Sequence, residues 1–284
     1  MDSATTETAR LRAREAGENF PVALRWLPSQ PRLHLHAVYA TVRLIDDTGD
    51  LAPGDRVAHL HTLRADLARV WDGGEPDSPV LRALVPAVAA CGLSQEPFQQ
   101  LVEANLIDQR ITAYATFEDL LGYCRLSAHP VGRIVLGVFD QATPATMALS
   151  DHVCSALQVL EHCQDVAEDY AAGRIYLPQR DLAEFGVLAQ DLAAGGLAGI
   201  GRRAVVVRQV DRSAAMLDEG AALVGELTGW ARIAVAGYVA GGYATVRALR
   251  AAGGDVWSAP VTPRRTDILR SMVRQLGRTA VVSR

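Results

Sequence analysis

The stretch Gln158 to Pro178, QVLEHCQDVAEDYAAGRIYLP, spaces Gln158, Glu161, His162, Asp165, Glu168 and Asp169 three and four residues apart. On a helix that spacing makes one polar stripe, with Leu157, Val159, Leu160, Cys163 and Val166 on the other faces. Turned inward, its carboxylates would repel: at roughly 4 Å and an effective dielectric near 20, each like pair costs about 4 kcal/mol. A divalent cation relieves that repulsion, and an all-oxygen ligand set favours Mg2+ with a diphosphate completing the coordination. A solvated helix face is the alternative reading of DxxED taken alone. A second stretch of the same design, RLHLHAVYATVRLIDDTGD, favours the metal. Arg32, His36, Tyr39, Arg43, Asp46, Asp47 and Asp50 share its polar stripe, with Asp46 and Asp50 four apart. Arg174, close behind the later carboxylates, has the planar fork to meet a phosphate oxygen pair.

Helices must present these two rows. The pattern predicts a helix from Pro31, stopped by Pro53 and Gly54, then helices over Asp55–Trp71 and Val80–Cys91 around a loop at Asp72–Pro79. Ser94 is expected to cap a helix entering through Pro97 and running to about Tyr114, on which Asn105, Asp108 and Thr112 share a face, either as cavity lining or as a surface stripe. Thr116 and Asp119 form a capping box opening a helix that Pro130 should kink. The small residues Ser127, Ala128, Gly132 and Gly137 allow tight helix packing or the approach of a bulky ligand. The central helix is expected over Asp151–Tyr170, followed by an extended segment at 173–178. Helices over Arg202–Thr228 and Trp230–Ala252 and an amphipathic helix ending near Arg278 complete the chain. No run alternates β-branched residues as a strand would. The expected fold is all-α: one domain over residues 1–284, with 1–17 as a flexible N-terminus, folded as a helical bundle around a central apolar cavity.

A net charge of −4 gives no reason to expect a nucleic-acid partner. Lysine is absent, so all 28 basic residues are arginine and Schiff-base chemistry is excluded. Cys91, Cys124, Cys154 and Cys163 lack paired CxxC spacing and read as free thiols in a reducing compartment. The N-terminus shows no apolar signal core, and the longest uncharged run, Ile233–Val246, is 14 residues, short of the roughly 18 to 20 that span a bilayer. The expected location is cytoplasmic, with peripheral membrane contact.

DDTGD (Asp46 to Asp50), YCRLSAHPVG (Tyr123 to Gly132) and QDVAEDYAAGRIYLP (Gln164 to Pro178) resemble the motifs of the squalene/phytoene synthase family, in matching order and separation from about Glu18 to about Arg270. The resemblance implies the α-helical isoprenoid (terpenoid) synthase fold, two or three Mg2+ ions and head-to-head C30 or C40 chemistry. Carried over by position, it implies Asp46, Asp50, Asp165 and Asp169 as metal ligands, with Glu161 joining them where asparagine is usual. It implies Arg43, Arg174, Tyr176, Asn19 and Phe20 as substrate and diphosphate contacts, and Tyr39, Tyr123 and Gln158 as catalytic residues of the reaction cavity. Tyr39, Tyr123 and Tyr243 are candidates to steady a carbocation through ring electrostatics, worth roughly 2 kcal/mol when desolvated.

ENFPVALRWLP, Glu18 to Pro28, is similar to the opening of the bacterial hydroxysqualene synthase branch. Gln164 replaces the arginine that commonly precedes the second motif. That branch implies presqualene diphosphate and water as substrates, hydroxysqualene and diphosphate as products, no NADPH, and functional coupling to a presqualene diphosphate synthase. The competing expectations are a condensing prenyltransferase of the same fold, which makes presqualene diphosphate, squalene or phytoene, and a non-catalytic scaffold relative. A di-iron bundle is set aside because Glu161 and His162 are adjacent rather than spaced as Glu-x-x-His.

Overall fold

The structure, a computed structural model, describes residues 27–195 and 199–282. Asn19, Phe20, most of ENFPVALRWLP and the segment 1–17 lie outside the described residues. The rest is helical: α1 (Ser29–Asp50), α2 (Arg56–Asp72), α3 (Pro79–Cys91), α4 (Glu96–Asp108), α5 (Phe117–Ser127), α6 (His129–Val138), α7 (Pro144–Gln164), α8 (Val166–Ala171), α9 (Gln179–Glu184), α10 (Ile200–Gly220), α11 (Leu223–Glu226), α12 (Gly229–Ala251) and α13 (Arg265–Val282). Among the described residues the only extended pairing is a single parallel bridge, Ala113 with Ile175.

Several boundaries follow local chemistry legible in the sequence. Asp55 caps α2 by accepting from the Ala58 amide, and Thr116 and Asp119 close the expected capping box on α5. Pro130 does more than kink its helix: the chain breaks at Ala128, and α6 restarts with the proline in its first turn, where the missing N–H is harmless.

Four expectations need correcting. The single helix expected over Arg202–Thr228 stops at Gly220, and the short α11 follows it at Leu223–Glu226. α4 ends at Asp108, six residues before Tyr114, because residues 112–115 turn their carbonyls to the later extended segment: Thr112 accepts from Ile175, Tyr114 from Gln179 and Ala115 from Arg180. The start of α4 is Glu96 with Gln95 at the cap position, so Ser94 does not cap it. The central helix begins at Pro144 under a Thr143–Thr146 capping box and stops at Gln164, whose side chain bonds out to the Val261 carbonyl; the backbone leaves helical angles at Asp165 before α8 resumes.

Two apolar clusters hold the helices. One joins α1 to α4 with α6 through Leu35, Ile45, Leu60, Leu84, Phe98 and Ile134. The other joins α5 to α12 through Leu120, Ala156, Leu160, Val206, Leu217 and Val239. Each such side chain contributes roughly 1.5–3 kcal/mol when fully buried. Phe139 and Ile233 pack against both clusters. The principal cavity draws its walls from both, so it lies where the two clusters meet.

Candidate active site

The cavity has a volume of about 430 Å³. At its polar end Asp46 and Asp50 arrive on α1, Glu161 on α7, and Asp165 and Asp169 at and after the break that follows α7. Tyr39, Arg43, Tyr123, Gln158, Arg174 and Tyr176 line the same cavity, so every expected site residue among the described ones except Tyr243 shares it. Much of the remaining wall is apolar, with Leu35, Val38, Leu136, Val153, Leu157, Leu223 and Val235. Tyr243 does not belong to it: its hydroxyl donates to Asp218 at 2.6 Å on the outside of α12. Tyr238, one turn earlier, faces the cavity instead.

Local structure aims the charged groups. Gly173 takes a positive φ of 82° after α8, a conformation that glycine adopts without strain. The Arg174 amide then returns to the Asp169 carbonyl at 2.8 Å, closing the helix end in a Schellman-type turn. That reversal points the Arg174 guanidinium at Asp50, with Nη1 2.7 Å from Oδ1. On α1, Arg43 donates to Asp47 at 2.9 Å and lies 3.8 Å from Asp46. Asn105 of α4 donates to Asp46 at 3.3 Å. A Cβ on Gly49 would overlap the Asn105 amide, so the glycine is what lets α4 come this close.

Burial pushes the Asp46 carboxyl up to about 6, against the lowering pull of Arg43 and Asn105 and with added repulsion from Asp50 and Asp47. Asp169 Oδ2 is buried without a hydrogen bond, with His162 Nδ1 3.6 Å away. Among the described residues no three His, Cys, Asp or Glu side chains gather closely enough to hold one ion by themselves. The donor set is still entirely carboxylate oxygen, which suits a hard divalent cation completed by oxygens of its ligand.

An aromatic stack, only partly foreseen, stands beside these carboxylates. His162 lies on Tyr176 with ring centroids 3.7 Å apart, and Tyr123 lies 5.6 Å from Tyr176. Tyr114 packs 5.5 Å from Tyr123 and 6.0 Å from Tyr176, brought there by the pairing of residues 112–115 with 175–180. The Tyr123 hydroxyl donates to Asp108 Oδ2 at 2.6 Å, while Asp108 Oδ1 is buried with no partner. Burial, the largest influence, raises the Asp108 carboxyl above the ordinary range despite that bond, and raises the Tyr123 phenol well above its own. Asn105 and Asp108 are thus cavity lining, and Thr112 is not on their helix. Ser127, Ala128 and Gly132 also line the cavity, whereas Gly137 packs against Leu93.

Comparisons with known proteins bear on the family of the chain. The chain is 34% identical over 218 residues to phytoene synthase of Mycobacterium tuberculosis, covering 75% of this chain and 71% of that protein. It is 35% identical over 181 residues to hydroxysqualene synthase of Zymomonas mobilis, covering 62% of this chain and 59% of that one. The crystal structure of squalene synthase HpnC from Alicyclobacillus acidocaldarius superposes with a TM-score of 0.76 at 39% identity, over 87% of this chain and 94% of the other. Residues 13–270 match the squalene/phytoene synthase description. With an all-helical fold and a carboxylate-rich end on an apolar cavity, the chain belongs to the squalene/phytoene synthase family.

Proposed function

We propose that this protein converts presqualene diphosphate and water into hydroxysqualene and diphosphate. The observation that carries this reading is Gln164. Where the resemblance expects an arginine beside the second acidic motif, a neutral amide is tied to the Val261 carbonyl and does not line the cavity. One cation fewer suits a substrate with a single diphosphate better than the binding of two prenyl diphosphates. The similarity to a hydroxysqualene synthase and to a squalene synthase supports the same direction.

Asp46, Asp50, Asp165 and Asp169, with Glu161 beside them, would hold Mg2+, which when bound neutralises the diphosphate and improves it as a leaving group. Arg43 and Arg174 take the diphosphate oxygens, so Arg174 must exchange Asp50 for the substrate. The C–O bond then breaks with its electron pair leaving on the diphosphate. The apolar wall keeps bulk water from the cyclopropylcarbinyl cation while it rearranges. Tyr39 and Tyr123 present electron-rich rings to it. One water forms the new C–O bond and gives up a proton. No reductant enters this balance. A presqualene diphosphate synthase is the enzyme whose product this one would consume.

The longer alignment with a phytoene synthase favours a condensing enzyme as the second reading. One experiment separates them. Purified protein with Mg2+ is given presqualene diphosphate or farnesyl diphosphate separately, in heavy-oxygen water, and the extracted lipids are analysed by mass spectrometry. The expected result is labelled hydroxysqualene from presqualene diphosphate alone. Turnover of farnesyl diphosphate alone to a C30 product, or an unlabelled hydrocarbon as sole product, overturns the proposal.

A further inference from the structure

We propose that the outward face of α13 is a docking surface for an anionic lipid bilayer. The inner face of this helix packs on α12 through Ile268, Met272 and Leu276, and two side chains of α12 clasp its backbone: Arg247 donates to the Asp267 carbonyl and Arg232 to the Leu276 carbonyl. Its outward positions 269, 270, 273 and 274 hold leucine, arginine, valine and arginine. Leu269 is 60% exposed, Val273 66%, and the Arg270 side chain 81% with only a 3.8 Å surface pair to Asp267. Residues 264–284 contain six arginines against one aspartate, in a chain whose net charge is −4. On α13 the exposed Arg270 and Arg274 thus stand beside the exposed aliphatic side chains of Leu269 and Val273.

That combination identifies the occupant. Aliphatic and guanidinium groups side by side on one convex helix face suit a bilayer interface, where the apolar side chains enter the acyl boundary and the guanidinium heads stay at the phosphates. A second copy of the same face would bring arginine against arginine. No helix among the described residues is long and apolar enough to cross a membrane, so this contact lies on the surface. α12 also supplies Val235 and Tyr238 to the cavity wall, which places the bilayer one helix away from the apolar end of the cavity. The inference does not depend on which isoprenoid the cavity takes.

The test is co-sedimentation of the whole protein with vesicles of pure phosphatidylcholine or of equal phosphatidylcholine and phosphatidylglycerol, at 0.1 and 0.5 M NaCl. Two variants are compared with the parent: Leu269→Asp with Val273→Asp, and Arg270→Gln with Arg274→Gln. All four positions are exposed, and circular dichroism confirms the fold; the glutamine pair is the milder change and carries the test alone should the aspartate pair unfold. The expected result is binding to the anionic vesicles only, weakened by salt and reduced at least tenfold in the variants. Absence of parent binding, or binding that the glutamine pair leaves unchanged, overturns the proposal. So does a concentration-dependent dimer that the variants abolish without any vesicle binding, which would make a second copy the occupant.

Discussion

Asp46 shows how a single side chain can be poor for stability and good for chemistry. It is held among Asp47, Asp50 and the Asn105 amide, and burial pushes its carboxyl to about 6. A carboxyl with a folded pKa above its unfolded value of 3.8 binds its proton more tightly in the folded state. Folding is therefore weakened as pH rises toward and past 6, and regains strength as pH falls back through that value. In EDTA, Asp46→Asn should melt at a higher temperature than the parent at pH 7.5, by about 2–4 °C for each kcal/mol of repulsion relieved. The advantage should shrink as pH is lowered to 5.5, where the parent carboxyl becomes protonated. The same variant should lose diphosphate release by roughly a hundredfold or more, since an amide is a weaker ligand for Mg2+ and carries no charge. Thermal melts across pH and a diphosphate-release assay on one preparation check both halves. A variant no more stable than the parent at pH 7.5 would mean that Arg43 and Asn105 already compensate the charge.

The contact between α1 and α4 is the element-scale device that sets Asp46. Gly49 clears the space for Asn105, Asn105 also donates to its own helix at the Leu101 carbonyl, and Gln109 donates to the Gly49 carbonyl at 3.1 Å. Gly49→Ala should force the two helices apart and draw Asn105 away from Asp46, with a stability loss of about 1–3 kcal/mol from overpacking. Because the clash is with one side chain, Gly49→Ala combined with Asn105→Ala should be more stable than the sum of the single effects predicts. Denaturant melts of the four proteins in the cycle read this coupling directly, and strict additivity would assign the cost of the alanine to something other than Asn105. Much of the helical framework was legible in the sequence because its signals are local: Asp55, Thr116 with Asp119, and Pro130 each act within a turn. The early end of α4 and the turn at Asp165 were not, because each answers to a distant segment, residues 175–180 in one case and the Val261 carbonyl in the other. The facing of Asp46 and Asp50 followed from their i, i+4 spacing, whereas the meeting of both acidic rows in one cavity was an implication of the family resemblance, because spacing along one helix says nothing of another. The Asp108–Tyr123 bond and the Tyr114–Tyr176 stack depend on contacts between elements that spacing does not encode, and Tyr243 was exchanged for Tyr238 because both fall on one long apolar helix whose rotation the sequence left open.

At the scale of the whole molecule, the cavity lies on the seam between two apolar clusters, and Arg174 ties the seam at its polar end. Arg174 belongs to the segment following α8 and its partner Asp50 to the end of α1, 124 residues away in sequence. A ligand seated between them would add bonds to both sides of the seam, whereas the unfolded chain has no such site. Binding to the folded state alone stabilises it by about 2.7 kcal/mol when the free ligand is at a hundred times its dissociation constant. Mg2+ and inorganic diphosphate supplied together should therefore raise the melting temperature by several degrees. Either component alone should do less, because the metal without diphosphate leaves the two arginines competing for the same carboxylates, and diphosphate without metal meets five carboxyl groups. EDTA should return the protein to its starting value. Arg174→Gln should lower the starting value slightly through loss of the 2.7 Å pair. It should also lose most of the gain from the combined ligands, since the amide cannot hold the diphosphate oxygens. Differential scanning calorimetry of the two proteins with each component, with both, and after EDTA distinguishes these cases. An equal gain in the variant would mean that the diphosphate is held by α1 and α7 without the segment that follows α8.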